Sequence, residues 1–550
     1  MTTGVDVLLD VLRSEGVSHL FGNPGSTELP LMDALADAGD LDYVLALQEA
    51  TAVAAAEGYA RVTGRPAFLN LHTSAGLGNA IGNLTNAQAN RTPLVVTAGQ
   101  QDYRHIVNDP LLSGDLVGIA RSVSKWAHEV RTVDEIGTIV RRAFHDAASQ
   151  PGGPVFVSLP MDLLEQETAQ GAPAPTVIDR GSVGGSLDEL ADLLASVPPG
   201  KLGIIAGDEV SYSGGVAALV ELAEALGAPV HGASLHATGV FPQSHPLYAD
   251  TFAPSAPAIA KALSGYDRVF MVGGHGFTVY PYNPGAVLPP HVELLQVSPD
   301  PATLGRFYPT RLAVLGDPKA TLEALLPLVR SKADSGRVRQ EIEERGAARR
   351  KLLDQMEAEA HRRYDASPTE PMAAAHALVR ALPPRTPVVD EAITTGFFVR
   401  RFHHDSAPDR YFFCKGGGLG WGMPFALGVS LGLGGEPTLC VVGDGAAMYS
   451  CQALWTAAHR HLPVVFAVVN NRQYLILKNN LRGMQGRSVN KGNFVAMDLD
   501  TPAVDYVGLA RAMGVDATLV ERPSDIAEAT RAAMASGRPH LLEIPIAAPQ

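Results

Sequence analysis

The chain has 550 residues, too many for one ordinary domain, and its 46% hydrophobic and 18% charged residues exclude general disorder. Lys plus Arg number 43 against 57 Asp plus Glu, a net charge of −14, which argues against broad electrostatic binding to nucleic acid or to an anionic membrane. A protein acting on small molecules is expected.

The opening run "MTTGVDVLLDVLRSEGVSHLFG" carries acids through its apolar positions and reads as an amphipathic first helix, not a signal peptide. No apolar run approaches the ~18 residues of a membrane helix, so no membrane association and a cytoplasmic location are expected. Cys414, Cys440 and Cys451 lack metal-site spacing and read as buried reduced thiols. Short β-branched runs then alternate with Ala-rich helical stretches. They are "PAFLNL", "TPLVVTAG" and "GPVFVSLP" early, "KLGIIAG" and "RVFMVGG" in the middle, and "TPVVD", "TLCVVGD" and "PVVFAVVNN" late.

Two breaks interrupt this rhythm: the Pro/Gly/Ser-rich stretch 168–186, and the densely charged stretch 331–371, expected as an exposed helix followed by a loop. The predicted fold class is α/β, with three doubly wound parallel-sheet domains. Their expected bounds are 1–180, 181–335 and 371–550, with a charged helical linker over 336–370. The stretches from Pro66 and from Pro437 both run proline, strand, polar turn, helix, proline, strand, which predicts a duplicated domain. Ligands of parallel α/β sheets bind beyond the carboxyl ends of the strands, so the polar turns at His72 and Asp444 are candidate half-sites.

In "VVGDGAAMYS", Asp444 lies between Gly443 and Gly445, a pattern that serves equally as turn chemistry or as a cation site. Asn471 follows Asp444 by 27 residues (471 − 444), the length of a helix plus the next parallel strand. The two side chains can then sit at neighbouring strand ends. With the backbone carbonyl of Gln473 they make a partial oxygen shell suited to Mg²⁺ or Ca²⁺. A single helix expected over "AAMYSCQALWTAAHR", residues 446–460, would turn its N-terminus toward a phosphate at the same place.

Gly443-Asp444-Gly445 followed at this interval by Asn470-Asn471 resembles the diphosphate-binding motif of thiamine-diphosphate (ThDP)-dependent enzymes. The resemblance extends over essentially the whole chain and is strongest to benzoylformate decarboxylases. It is carried by "FGNPGSTELP", "LALQEA", "NLHTSAGLGNA", "PLVVTAGQQ", "GGGLGWGMP" and "ALWTAA". It implies ThDP and Mg²⁺ as cofactors and Asp444, Asn471 and Gln473 as metal ligands. It also implies Gly443, Gly445, Ala446, Tyr474, Thr394 and Thr395 around the diphosphate.

Glu49 would hydrogen-bond the cofactor's pyrimidine N1′, Leu419 would hold the cofactor bent, and Gly417 and Gly418 would allow close backbone approach. Ser26 would bind a substrate carboxylate and His72 would transfer protons, as suits a residue type that titrates near working pH. Taken singly, Glu49 reads as a helix-start acid, Ser26 as a cap and His72 as a structural histidine.

Two departures from the family pattern bear on the substrate. Tyr280 stands where the family has a second catalytic histidine, with His275 five residues earlier; as a catalytic candidate it could donate a hydrogen bond, but tyrosine is a poorer proton shuttle near neutrality. Asn479 and Asn480 replace aromatic residues of the family's phenyl pocket, while Leu112, Phe413, Ile476 and Leu477 remain as apolar lining. The expected activity is non-oxidative decarboxylation of an aromatic or bulky 2-oxo acid to an aldehyde, with an acetolactate-synthase-like carboligase as the alternative. A scaffold without catalysis is the third reading. The resemblance also implies a homotetramer, a dimer of dimers, with active sites at subunit interfaces.

Overall fold

Residues 2–333, 335–403 and 407–548 are described by the computed structural model. Each of the early, middle and late strand runs forms a strand, and the strands assemble into three six-stranded parallel sheets. Numbered within its own sheet in chain order, the N-terminal sheet runs 2-1-3-4-6-5, and the C-terminal sheet runs 2-1-3-4-6-5 as well. Identical order from unrelated-looking side chains is what a duplicated domain leaves behind, so the recurrence around Pro66 and Pro437 is structural. The middle sheet runs 3-2-1-4-5-6, a different doubly wound order.

The chain divides into two compact units. The first combines Met1–Val177, Arg363–Val399 and Cys414–Gln550, and so contains both duplicated sheets. Its strands are near-continuous apolar runs because helices cover both faces; Ala67–Leu71, Leu94–Gln100 and Val464–Asn470 are buried at every position. Helices Glu49–Thr63 and Gly422–Gly432 cross at very close range. A Cβ on Gly58 would stand 2.1 Å from the Phe425 carbonyl oxygen, and one on Gly428 would stand 1.9 Å from that of Ala55. Beside this crossing the fully buried Glu57 accepts hydrogen bonds from Trp421 Nε1 (2.8 Å), Asn90 Nδ2 (2.8 Å) and Thr92 Oγ1 (3.1 Å). Burial pushes its carboxyl above the ordinary range.

The second unit is Ile178–Arg362 with Arg400–Phe413. Its core packs Leu190, Leu219, Leu222 and Leu322 against the sheet strands Leu202–Ala206 and Arg268–Val272. The charged stretch forms the helix Ser335–Arg362, lined with pairs such as Gln340–Glu344 and Arg345–Glu341. The three cysteines are free; Cys414 and Cys440 are buried, whereas Cys451 is only partly so. Among the described residues no helix is long and apolar enough to cross a membrane.

Candidate active site

The candidate residues lie beyond the carboxyl ends of the two duplicated sheets, as parallel α/β topology requires. Glu49 opens the helix Glu49–Thr63 after the strand Asp42–Leu45, and the preceding Gln48 caps that helix by accepting from Thr51 N. The first-turn position of Glu49 is therefore real, yet its side chain does not point to water: it is 8% exposed. Asn79 Nδ2 donates to Oε2 at 3.0 Å, and a Cβ on Gly76 would meet Oε1 at 3.1 Å. Oε1 has no hydrogen-bond partner among the described residues. A buried carboxylate with one oxygen left for a guest is more than a helix-start acid.

His72 caps the helix Thr73–Ala89 after the strand Ala67–Leu71, without a side-chain capping bond of its own. Its Nδ1 lies 2.8 Å from Glu28 Oε2 and 3.1 Å from Thr27 Oγ1. Ser26 begins the same short turn, Ser26–Glu28, and is exposed. Glu28, which no sequence motif marks, thus ties His72 to the turn that Ser26 begins. Leu112 adopts a left-handed φ of 67°, and its carbonyl accepts from Ser74 Oγ at 3.4 Å. A bulky residue rarely holds that conformation without constraint.

On the C-terminal sheet, Asp444 follows the strand Thr438–Gly443, and Asn471 follows its parallel neighbour Val464–Asn470. Gly443 pairs with Val469, so the two loops leave the sheet side by side. Asn470 is committed to structure: it donates to Glu543 Oε1 at 2.9 Å and accepts from Arg472 N at 3.0 Å. Among the described residues the Asn471 side chain accepts only from Gln473 N, at 3.1 Å, and its carbonyl accepts from Gln473 Nε2 at 3.3 Å. Asp444 is 5% exposed, and burial holds its carboxyl above the usual range, while the N–H groups of Gly445, Arg472 and Gln473 act in the opposite sense. Its Oδ2 is buried with no hydrogen-bond partner among the described residues. An orphaned anionic oxygen beside an asparagine amide oxygen is the donor set a hard cation takes, so the residues fit a Mg²⁺. Tyr474 packs its ring where a Cβ on Gly445 would stand, 2.5 Å away. Thr395 is fully buried with its Oγ1 unpartnered, whereas Thr394 is partly exposed.

One expectation is corrected here. No continuous helix runs from Ala446 to Arg460; the chain forms Asp444–Ala447 and then Ala453–His459. Between them the winding tightens to three-residue hydrogen bonds, such as Tyr449 N to Ala446 O and Ala453 N to Ser450 O. Ala446 lies inside a single short turn, so the proposed helix-dipole contribution to phosphate binding has no long helix behind it.

The loop 416–422 is held from both duplicated halves. Asn86 accepts from Gly418 N and donates to its carbonyl, each at 2.9 Å, and Asn83 donates to the Gly420 carbonyl at 3.3 Å. Gly418 therefore gives close approach to Asn86, while Gly417, at φ 77°, faces open space, and Leu419, next in the chain, is partly exposed. From beneath, Glu391 accepts from the backbone N–H groups of Gly420 (2.8 Å), Trp421 (3.0 Å) and Gly422 (2.8 Å).

Burial pushes the Glu391 carboxyl up to about 7 from an ordinary 4.5, and these three donors pull the other way. An acid whose folded-state value is raised binds its proton more tightly when folded, so it lowers stability progressively as pH rises from 4.5 to about 7. The shift corresponds to about 3 kcal/mol. Glu391→Gln is accordingly expected to gain melting temperature relative to the parent as pH is raised from 5 to 8, which a thermal scan across that range reads.

Ile476 is partly buried and Leu477, Asn479 and Asn480 are exposed on or beside the helix Leu475–Met484. Tyr280 and His275 belong to the second unit, where both are exposed; Phe413 also belongs there, stacked under Arg400 at 4.7 Å. Among the described residues no hydrogen bond joins Glu49 or His72 to Asp444, Asn471 or Gln473.

Comparison with known proteins matches this geometry to one family. Residues 2–118, 187–325 and 394–544 fit the models described as thiamine pyrophosphate enzyme, N-terminal TPP binding domain, central domain and C-terminal TPP binding domain. The benzoylformate decarboxylase of Pseudomonas aeruginosa is 32% identical, over 98% of this chain and 97% of its own. The acetolactate synthase isozyme 3 large subunit of Escherichia coli is 29% identical, over 87% and 84%. Among solved structures, the benzoylformate decarboxylase from Polynucleobacter necessarius superposes with a TM-score of 0.88 at 28% identity, covering 100% of this chain and 99% of that one. The ThDP-dependent 4-hydroxybenzoylformate decarboxylase of Rhodococcus jostii does so at 0.86 and 30%, covering 99% of both. Three domain matches in order, nearly full-length relatives and a duplicated sheet bearing the Asp444–Asn471 interval lead to one assignment: the chain belongs to the thiamine pyrophosphate enzyme family.

Proposed function

We propose that this protein is a ThDP- and Mg²⁺-dependent decarboxylase that converts an aromatic or bulky 2-oxo acid to an aldehyde and CO₂. The reading is carried by His72, hydrogen-bonded to Glu28 in the turn that Ser26 begins, on the same sheet as the buried Glu49. It is supported by the names of the benzoylformate decarboxylase relatives. ThDP, when bound, supplies the electron sink for the carbanion that decarboxylation leaves.

The chain's own residues would do the rest. Glu49 would hold a proton toward ThDP through its spare oxygen, and the loop at Leu419 would pack against the bound cofactor. Asp444, Asn471 and the Gln473 carbonyl would hold Mg²⁺, and Thr395 Oγ1 would be free to donate to the diphosphate. Gly443, Gly445, Ala446, Tyr474, Thr394 and Gly417 line the same cofactor path. Ser26 binds the substrate carboxylate, and His72 delivers the proton that replaces CO₂. The family resemblance supports reading the protein as a cytoplasmic homotetramer, a dimer of dimers, with the Glu49 and Asp444 groups of different copies brought together at subunit interfaces.

The alternative is carboligation, in which a second carbonyl compound replaces the proton. It is favoured by Tyr280, which stands in place of a histidine and is 70% exposed, and by the acetolactate synthase relatives. Purified protein with ThDP and Mg²⁺ is tested on a panel of aromatic and aliphatic 2-oxo acids, with and without an acceptor aldehyde. CO₂ with free aldehyde is the expected result. A 2-hydroxy ketone or acetohydroxy acid as the main product selects the alternative, and no CO₂ from any substrate rejects both.

A further inference from the structure

The Glu28 side chain is 1% exposed. A carboxylate so far from water needs its lone pairs filled. Oε1 accepts from Gly99 N at 2.9 Å and from Thr27 Oγ1 at 2.8 Å. Oε2 accepts from Gly25 N at 3.0 Å and faces His72 Nδ1 at 2.8 Å. An ionised carboxylate only accepts, and it has about four lone-pair sites. Two are met by backbone N–H groups and a third by the Thr27 hydroxyl, so a nitrogen 2.8 Å from the remaining site has to be a donor too, which puts a proton on His72 Nδ1. The Thr27 hydroxyl, 3.1 Å from the same nitrogen, has given its one proton to Oε1 and cannot be the donor there.

Two glycines make room for the arrangement. A Cβ on Gly25 would fall 2.2 Å from His72 Cγ and Nδ1, and a Cβ on Gly99 would fall 2.2 Å from Glu28 Oε1. Gly25 has an extended φ of −136°, so what it supplies is space, not backbone freedom. Glu28 also caps its own turn by accepting from Gly25 N, but that accounts for one of its four bonds. The other three reach to the strand Leu94–Gln100, to Thr27 and to the residue after the strand Ala67–Leu71.

We infer that Glu28 is a positioning residue that fixes His72 as its Nδ1–H tautomer, so that Nε2 is the atom that takes and returns the proton. An unrestrained imidazole prefers its proton on Nε2, which would leave no lone pair on the nitrogen that faces away from Glu28. When Nε2 takes up a proton, the resulting positive ring faces a carboxylate already held by three other donors. This is the orienting role that a third group plays for a nucleophile's base. The inference rests on the reading of His72 as the proton-transfer group.

Magic-angle-spinning NMR of ¹⁵N-histidine-labelled protein tests it, with the His72 signals assigned by their loss in His72→Gln. In the parent, without ThDP and at mildly alkaline pH, the proton is expected on Nδ1. In Glu28→Ala it is expected to move to Nε2, and kcat is expected to fall about 10²-fold with KM little changed. A parent spectrum with the proton on Nε2 overturns the inference whether or not the variant folds. So does a variant that loses activity but keeps the Nδ1 proton, since that is a structural effect. A protein that decarboxylates nothing, yet shows the Glu28-dependent tautomer, removes the functional reading and leaves the dyad standing.

Discussion

Replacing Glu49 by glutamine is expected to lower kcat about 10³-fold, in the middle of the range seen when a positioned acid or base is removed. Glutamine keeps the shape of the side chain. Its amide oxygen can still accept from Asn79 Nδ2, and Gly76 still leaves room for the second terminal atom. The helix start should survive as well, because Gln48 and not Glu49 supplies the capping oxygen to Thr51 N. The variant loses only the ability to share a proton through Oε1. Calorimetric titration with ThDP and Mg²⁺ should therefore show binding close to that of the parent while turnover collapses. Turnover within a few-fold of the parent would return Glu49 to the role of a helix-start acid. Loss of binding together with turnover would point to a broken site instead of a missing proton.

The parts of this molecule that were legible in the sequence are those set by local pattern. Runs such as "PVVFAVVNN" are buried on both faces, so continuous hydrophobicity is the correct signature of a central parallel strand. The 27-residue interval from Asp444 to Asn471 (471 − 444) is a strand–helix–strand length, and the two loops do leave neighbouring strands. The recurrence at Pro66 and Pro437 foretold two sheets with one order.

The residues that escaped are those whose work is done by distant partners. Glu28 meets His72 and Gly99 across 44 and 71 positions, and Glu57 meets Trp421 across 364. Each reads locally as one more acid in a turn or on a helix, and no periodicity marks it. Glu391 is similar: "VVDE" ends a strand, and only the fold brings three N–H groups from 420–422 onto it. Only Glu57 carried a local signal, an acid inside the alanine-rich run "AVAAAEGYA", where a buried charge has to be paired. The opposite error came at Ala446–Arg460, where good helix formers suggested one long helix. The chain instead tightens into three-residue turns through Tyr449 and Ser450.

Asp444→Ala is expected to abolish Mg²⁺-dependent ThDP binding, weakening it at least about 10²-fold, since even outer partners of metal ligands are worth 10 to 100-fold. The same change should leave the cofactor-free protein as stable as the parent or more so. Oδ2 of Asp444 is buried without a partner, and burial already holds the carboxyl above its ordinary range, so the cofactor-free fold gains nothing from that oxygen. The two asparagines separate the readings further. Asn471→Ala should weaken Mg²⁺-dependent binding with little change in melting temperature. Asn470→Ala should cost stability first, because it strips partners from Glu543 and from the N–H of Arg472. A turn aspartate would give the reverse pattern for Asp444→Ala, with a lower melting temperature and intact titration. Thermal scans without cofactor, set beside calorimetric titrations with it, thus distinguish a carboxylate kept for the backbone from one kept for a cation. The orphaned oxygen favours the cation, since a turn would have no reason to bury an acceptor and leave it empty.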